Sequence, residues 1–459
     1  MSCNLTYTLG EVAEVYDGPH ATPKKLEKGD SIFLSISSLS QGRLNLEQSS
    51  YISEEEFIKW TRRVTPQPGD VVFSYETRIG EASIIPMGLR CCLGRRMGLL
   101  RAKKDKVIPE YLLYTYLSPA FQEVIREKTI HGSTTDRISI KEIPSFKIQI
   151  PDIHTQIRTV KVLKNIDDKI KINQQINQTL EQMAQALFKS WFVDFEPVKA
   201  KNAVLEAGGS QQEATLAAMT AISGKDADSL AVFKHKQPEK FAELKATAEL
   251  FPSAMQESEL GEIPEGWNAG PLGDIANFAK GKIEVAKLKT DTYISTENML
   301  ENKAGISHAS SLPSVNTVPN FSPGHILISN IRPYFKKIWL ARFSGGRSAD
   351  VLAFENKKKV TVEFLYNLLS QDVFFDFMML TSKGVKMPRG DKTSIMNWTC
   401  IQPEEKVLSI YSTSVVEFYS YIESHNLENK YLTNLRDTLL PKLLSGEITL
   451  PQAELALSE

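Results

Sequence analysis

Between residues 156 and 195, apolar, small and polar side chains recur in steps of three and four: Leu163, Ile166, Ile170, Asn173, Asn177, Leu180, Ala184 and Leu187. A repeat of this kind predicts a helix whose narrow seam faces another helix rather than a broad core. The helix is expected to close on the aromatic run Phe188-Lys189-Ser190-Trp191-Phe192-Val193-Asp194-Phe195 and to stop at Pro197. The same pattern returns 252 positions later, at Val415, Phe418, Ile422, His425, Asn429, Leu432, Arg436 and Leu439. Polar residues fall mid-helix in both copies, and Ala184 against Arg436 breaks the match. If the two helices pair antiparallel, the Asn173/Asn177 and His425/Asn429 layers meet, and such buried polar layers fix register at some cost in stability.

The stretches around these helices also read twice. Short β-branched runs lie at 31–36, 71–73, 82–85 and 146–150, with Pro68-Gly69-Asp70 as a tight turn before the second. Residues 8–13 open a short helix, and 111–125 is amphipathic and helical, begun by Pro109-Glu110. Further on, Leu272-Gly273-Asp274-Ile275-Ala276 echoes residues 9–13, and Pro323-Gly324-His325 echoes the first Pro-Gly turn. The offset of 252 also maps Leu112, Tyr114, Ser118, Gly132 and Arg137 onto Phe364, Tyr366, Ser370, Gly384 and Arg389. A constant offset over so long a stretch argues for a duplicated unit. The expected fold class is α+β: two globular mixed α/β domains joined by two long helices in an antiparallel coiled coil. The expected boundaries are a first domain at 1–153, a long helix at 154–197, and an Ala/Glu-rich helical linker at 198–262. A second domain follows at 263–402, a second long helix at 403–446 and a tail at 447–459.

Composition narrows the class. At 459 residues with 42% hydrophobic and 24% charged residues, the chain suits a soluble protein of several domains. No apolar run approaches the roughly 20 residues of a membrane helix, and residues 1–10 lack a signal peptide's positive patch and apolar core, so a cytoplasmic location is expected. Cys3, Cys91, Cys92 and Cys400 have neither zinc nor disulfide spacing and read as reduced thiols. The formal net charge of -1 hides a pattern: the acidic excess sits in the linker, and the two repeated domains are basic on balance. A helix over residues 156–190 spans roughly 50 Å, longer than one turn of B-DNA at about 34–36 Å. Two basic domains on such a ruler suit separated half-sites of one duplex.

The residues then resemble a known family. Asp167-Asp168-Lys169-Ile170, Asn173, Ile176-Asn177, Leu180-Glu181 and Ala186-Leu187-Phe188 through Phe195 are similar to the central conserved region of type I restriction-modification specificity (S) subunits. Leu435-Arg436-Asp437-Thr438-Leu439-Leu440-Pro441-Lys442-Leu443-Leu444-Ser445-Gly446-Glu447-Ile448 resembles that family's C-terminal conserved region, and residues 261–267 resemble the entry to its second target recognition domain. The resemblance implies a non-catalytic subunit in which each target recognition domain reads one half of a bipartite double-stranded DNA site. It implies that the coiled coil docks two methyltransferase subunits and, through them, restriction/translocase subunits. S-adenosylmethionine, ATP and Mg would then belong to those partners, with no cofactor in this chain.

The motif search agrees with that implication. There is no Asn-Pro-Pro-aromatic or Asp-Pro-Pro-aromatic run, no Gly-x-Gly cofactor loop after a strand, and no Walker lysine. Asp391 with Glu404-Glu405-Lys406 has the residue types of a metal nuclease, but the latter three more simply open the second long helix, where acids are favourable. A self-contained methyltransferase or nuclease with a built-in recognition domain is the competing reading. The candidate DNA contacts are Ser74, Arg78, Arg95, Arg96, Thr134, Thr135 and Arg137 in the first domain. In the second they are Ser329, Asn330, Arg332, Lys336, Lys337, Lys386, Arg389 and Lys392. Arginine and lysine supply phosphate contacts, and arginine, asparagine, serine and threonine read base edges. Phe188, Trp191 and Phe192 are candidates for a partner-docking surface, with packing at the end of the coiled coil as the equal alternative for Trp191 and Phe192.

Overall fold

The structure is a computed structural model that describes the chain except residues 1–4, 41, 47–48, 133–134, 385, 446 and 449–459. The chain divides into two compact units, residues 1–173 with 427–459, and residues 174–426. Both boundaries fall inside long helices, Ile153–Phe192 and Glu405–Ser445. Each unit therefore owns half of each helix.

In the first unit, the four-stranded antiparallel sheet runs in the order Ala13–Asp17, Met97–Ala102, Val71–Ser74, Ala82–Ile84. Val71–Ser74 is buried at all four positions, as a central strand covered on both faces must be. Leu5–Thr8 pairs with Lys147–Ile150, and Leu9–Val12 follows at once as one helical turn whose Thr8 and Glu11 form a capping box. The sheet packs against Pro109–Leu117 and Pro119–Glu127 through Phe73, Tyr111, Leu112, Phe121 and Ile125. The single helix expected over 111–125 is thus two. Pro119 has no N–H to continue the ladder, and Ser118 turns extended and caps the second helix through Phe121 N–H.

The second unit repeats this plan. Its sheet order is Ala276–Phe278, Val351–Asn356, Ile326–Ser329, Ile338–Leu340. Asn268–Pro271 pairs with Thr399–Gln402 before the one-turn helix Leu272–Ile275. Even single hydrogen bonds recur: the Leu9 N–H donates to the Phe146 carbonyl at 2.8 Å, and the Leu272 N–H to the Trp398 carbonyl at 2.8 Å. Gly69 and Gly324 share a positive φ, +92° and +87°, in the two Pro-Gly turns before the central strands.

Inside each unit the helix halves pair antiparallel. In the first, Leu163, Ile166 and Ile170 pack with Leu439, Leu440 and Leu443. The buried Asn173 Nδ2 donates to Asn429 Oδ1 at 3.0 Å and to Glu428 Oε2 at 2.7 Å. In the second, Asn177 meets His425 Nδ1 at 2.9 Å and donates to Asn426 at 3.0 Å. The polar layers meet as the antiparallel arrangement requires. Arg436, which breaks the repeat, lies 3.0 Å from Asp167, and the Tyr114 hydroxyl donates to the same carboxylate at 2.6 Å. Burial first, then the charge of Asp167, holds the Tyr114 hydroxyl well above its ordinary pKa, so it stays a donor. The equivalent place in the second unit is aromatic: Tyr366 meets Tyr419 edge-on at 5.8 Å, the Tyr419 hydroxyl accepts from Asn367 at 2.7 Å, and Ala184 is buried.

Pro197 does not stop the first long helix. That helix ends at Phe192, Phe195 turns left-handed at φ +54°, and Pro197 sits in the first turn of a new helix, Glu196–Glu206, where its missing N–H costs nothing. Three more helices follow, Gln211–Ser223, Ala227–Lys236 and Pro238–Leu250, around Ala218, Met219, Leu230 and Ala248. Lys201 is buried among them, its Nζ donating to the Phe251 carbonyl at 2.6 Å and the Ala248 carbonyl at 3.1 Å at a helix C-terminus. A hairpin, Met255–Ser258 with Gly261–Pro264, leads into the second domain.

Candidate nucleic-acid interface

In each unit the turn after the central strand and the glycine loop are joined by the backbone. In the first unit the Thr77 N–H donates to the Asp136 carbonyl at 3.4 Å, the Ile138 N–H to the Tyr75 carbonyl at 2.8 Å, and Arg137 and Ile130 exchange hydrogen bonds at 3.1 and 2.8 Å. In the second, the Arg332 N–H donates to the Pro388 carbonyl at 2.9 Å, the Gly390 N–H to the Asn330 carbonyl at 3.3 Å, and Arg389 and Lys383 exchange bonds at 3.0 and 2.9 Å. Arg137 is bridged to Glu76 and Ile130 just as Arg389 is to Ile331 and Lys383. Thr77 and Arg332 both adopt positive φ, +72° and +50°, a conformation that costs non-glycine residues of order 1–3 kcal/mol. Such strain persists only where the surroundings fix it, and here the matched hydrogen bonds fix it.

A third strand of backbone completes the junction. The Tyr75 N–H donates to the Arg96 carbonyl at 3.2 Å and the Asn330 N–H to the Asp350 carbonyl at 2.8 Å. Arg96 and Asp350 therefore hold the same place. Arg96 Nε lies 2.9 Å from Glu76 Oε1, an ion pair without good hydrogen-bond alignment, and its Nη1 donates to Thr77 Oγ1 at 3.0 Å. In the second unit Arg389 Nη2 lies 3.2 Å from Asp350 Oδ2. Glu76 and Asp350 are the members that sequence reasoning did not single out. The one available signal for Asp350 was that Arg96 and Asp350 each immediately precede the second strand of the repeated sheet, Met97–Ala102 and Val351–Asn356.

The other candidates divide. Arg95, Arg137, Arg332, Lys386, Arg389 and Lys392 are exposed. Arg78 is half-committed to Glu81 at 3.5 Å and to the Ile36 carbonyl at 3.4 Å. Thr135 is half-buried, and Thr134 lies outside the described residues. Ser74 and Ser329 are buried, each folding its hydroxyl back onto the carbonyl two residues on, Glu76 at 2.9 Å and Ile331 at 3.1 Å. They shape the turn and do not face a ligand. Asn330 is also buried, with Nδ2 on the Gly390 carbonyl at 3.1 Å, and clamps the glycine loop. Lys336 is tied to Asp372 at 2.9 Å, and Lys337 donates to the Thr296 carbonyl at 2.9 Å. Asp391 caps the helix Lys392–Met396 through the Ser394 N–H, and pairs with Lys383 at 2.7 Å. Among the described residues no group of three His, Cys, Asp or Glu side chains is arranged to hold a metal ion.

Phe188, Trp191 and Phe192 are not a surface. They are 0%, 1% and 2% exposed, packed with Trp267, Phe364 and Tyr411 at ring separations of 5.0–6.0 Å. The knot is the hub of the second unit's core, and the same run's exposed apolar member is Val193.

Residues 4–182 match the family model described as the type I restriction modification DNA specificity domain. The chain is 31% identical over 367 residues to the HindI specificity subunit of Haemophilus influenzae, covering 74% of this chain and 78% of the relative. It is 23% identical over 454 residues to the MjaIX specificity subunit of Methanocaldococcus jannaschii, covering 94% and 87%. Among solved structures it is similar to an S subunit from M. genitalium, with TM-score 0.47, 14% identity and 96% of both chains covered. The duplicated α+β domains, the halved helix pair and the identity to the Haemophilus protein converge: the chain belongs to the family of type I restriction-modification specificity subunits.

Proposed function

We propose that this chain is the DNA-recognition subunit of a type I restriction-modification complex and performs no catalysis itself. The observation that carries this reading is the repeated junction: two domains present arginine-bearing loops held by the same hydrogen bonds. Each domain reads one half of a bipartite duplex site, using arginine to contact base edges and phosphates. The helix pair, with its asparagine and histidine layers fixing register, sets the spacing between the half-sites. Its outer faces dock methyltransferase subunits, two of them in keeping with the twofold repeat, and these bring S-adenosylmethionine and connect to ATP- and Mg-dependent restriction subunits. The names of the relatives support assembly into such an enzyme.

The test is adenine methylation. The purified chain with its methyltransferase subunits should methylate one bipartite sequence and bind it with a steep dependence of log affinity on log salt. The chain alone should neither methylate nor cleave. Stoichiometric uptake of S-adenosylmethionine by the isolated chain, or binding without sequence preference by the assembled complex, overturns the reading.

A further inference from the structure

The three places that meet at each junction carry different charges in the two units. In the first they are Glu76, Arg96 and Arg137; in the second they are Ile331, Asp350 and Arg389. Each junction thus contains one arginine braced by a carboxylate, but not at the same place. In the first unit the braced arginine is Arg96 on Glu76; in the second it is Arg389 on Asp350. Arg137, which shares the place of Arg389, has no acid beside it among the described ion pairs.

A guanidinium held by a neighbouring carboxylate has lost much of its rotamer freedom before a ligand arrives. Its remaining N–H fork matches the N7 and O6 acceptors of guanine, and a carboxylate beside the fork disfavours phosphate approach. An unbraced exposed arginine is the better phosphate contact, since a phosphate accepts from many directions. The second unit's brace is hydrated in the free protein, with Arg389 52% and Asp350 38% exposed, and the first unit's is more enclosed, with Arg96 28% and Glu76 22% exposed.

Resting on the reading of this chain as a DNA-recognition subunit, we infer that Arg96 and Arg389 are the base-reading groups of the two domains, each contacting a guanine. Glu76 and Asp350 are their positioning residues, and Arg137 grips phosphate. The exchange of place between brace and arginine is one physical source of the difference between the two half-sites.

The experiment uses the full chain assembled with its methyltransferase subunits. Wild type, Asp350→Asn, Glu76→Gln and Arg389→Lys methylate a pool of duplexes carrying randomised positions, and adenine methylation is read by sequencing. A wild type without sequence preference overturns the proposed function rather than this inference. With a selective wild type, Asp350→Asn should lose about tenfold or more of its guanine preference at one position of one half-site. Its affinity for non-cognate duplex should rise, because a negative charge has left. Arg389→Lys should show the same half-site loss, since lysine keeps the charge and lacks the fork. Glu76→Gln should show the loss in the other half-site only. Unchanged preference in Asp350→Asn, or a loss spread over both half-sites, overturns the inference. A second measurement needs no variant: 7-deazaguanine at the identified position should weaken wild-type methylation about tenfold, and no effect there overturns the assignment to guanine N7.

Discussion

Arg436 sits in a seam built mainly from leucine and isoleucine, and Asp167 is the reason it is tolerated. The two lie 3.0 Å apart at 20% and 23% side-chain exposure, with Tyr114 donating to the other carboxylate oxygen. At an effective dielectric near 20, the gross attraction at that distance is about 5 kcal/mol, most of it offset by desolvation. Arg436→Leu leaves Asp167 with one hydroxyl donor and the distant Arg43 at 3.9 Å. Discounted for partial exposure, that change should cost about 2–3 kcal/mol. Asp167→Leu should cost about 2 kcal/mol, because Arg436 keeps Asp437 at 2.8 Å. The double variant should be no worse than either single, since two leucines extend the apolar seam and, of the groups that lose a partner, Asp437 and Arg43 are exposed enough to be solvated, leaving Tyr114 as the one enclosed donor affected. The expected coupling is therefore about 2 kcal/mol or more. Hydrogen exchange of helix segment 159–170 under increasing denaturant measures the first unit alone, avoiding an assumption of two-state unfolding for the whole chain. Costs that add within about 0.5 kcal/mol would show that the pair is not what admits arginine to the seam.

Other outcomes follow from the geometry. Trp191→Ala should destabilise the second unit by about 3–5 kcal/mol, while Val193→Ala stays within about 0.5 kcal/mol; the reverse order in thermal unfolding would return the tryptophan to the surface. Leu180 packs half-buried on the second unit's core and Leu432 half-buried on the first unit's seam, so Leu180→Asp with Leu432→Asp places two carboxylates in apolar contacts at a cost of about 1–3 kcal/mol each. On a panel of duplexes with varied half-site separation, the wild type should accept one separation and this variant several at lower affinity. Unchanged spacing would remove the helices as ruler. The Lys383 ammonium, then the Ser394 N–H, holds the Asp391 carboxyl down to about 2, so its contribution is complete above the ordinary aspartate value of 3.8 and is lost as pH falls through about 2. Carbon-detected NMR titration should place it there and return it towards 3.8 in Lys383→Met; an unmoved value would deny the ion pair.

Much of the repeat was legible because a helix seam and a β-turn have short-range signatures. The 163–187 and 415–439 positions, the Pro-Gly turns and the glycine loops all announce themselves within a few residues. What stayed hidden depends on distant partners. Arg436 looked like a defect because Asp167 lies far back in the sequence. Trp191 looked like a docking residue because nothing local shows Trp267, Phe364 and Tyr411 closing over it. Ser74 and Ser329 have the right chemistry for reading bases, yet each hydroxyl turns back to its own chain, and only the strand's burial on both faces reveals that. The split at Ser118-Pro119 was available in the sequence and was outweighed by the amphipathic period around it.

The halved helices also set a clock for the newborn chain. Leu163, Ile166 and Ile170 leave the ribosome early, but the leucines that cover them, Leu439, Leu440 and Leu443, are among the last described residues made. Roughly 270 residues separate the two sets, about 15–50 s of synthesis at 5–20 residues per second. Through that interval the first unit carries an apolar helix face without its mate while the second unit is being built. The chain is therefore most vulnerable to chaperones, proteases and other copies of itself during that interval, and making the helix half that bears Leu439, Leu440 and Leu443 is the step that ends the exposure.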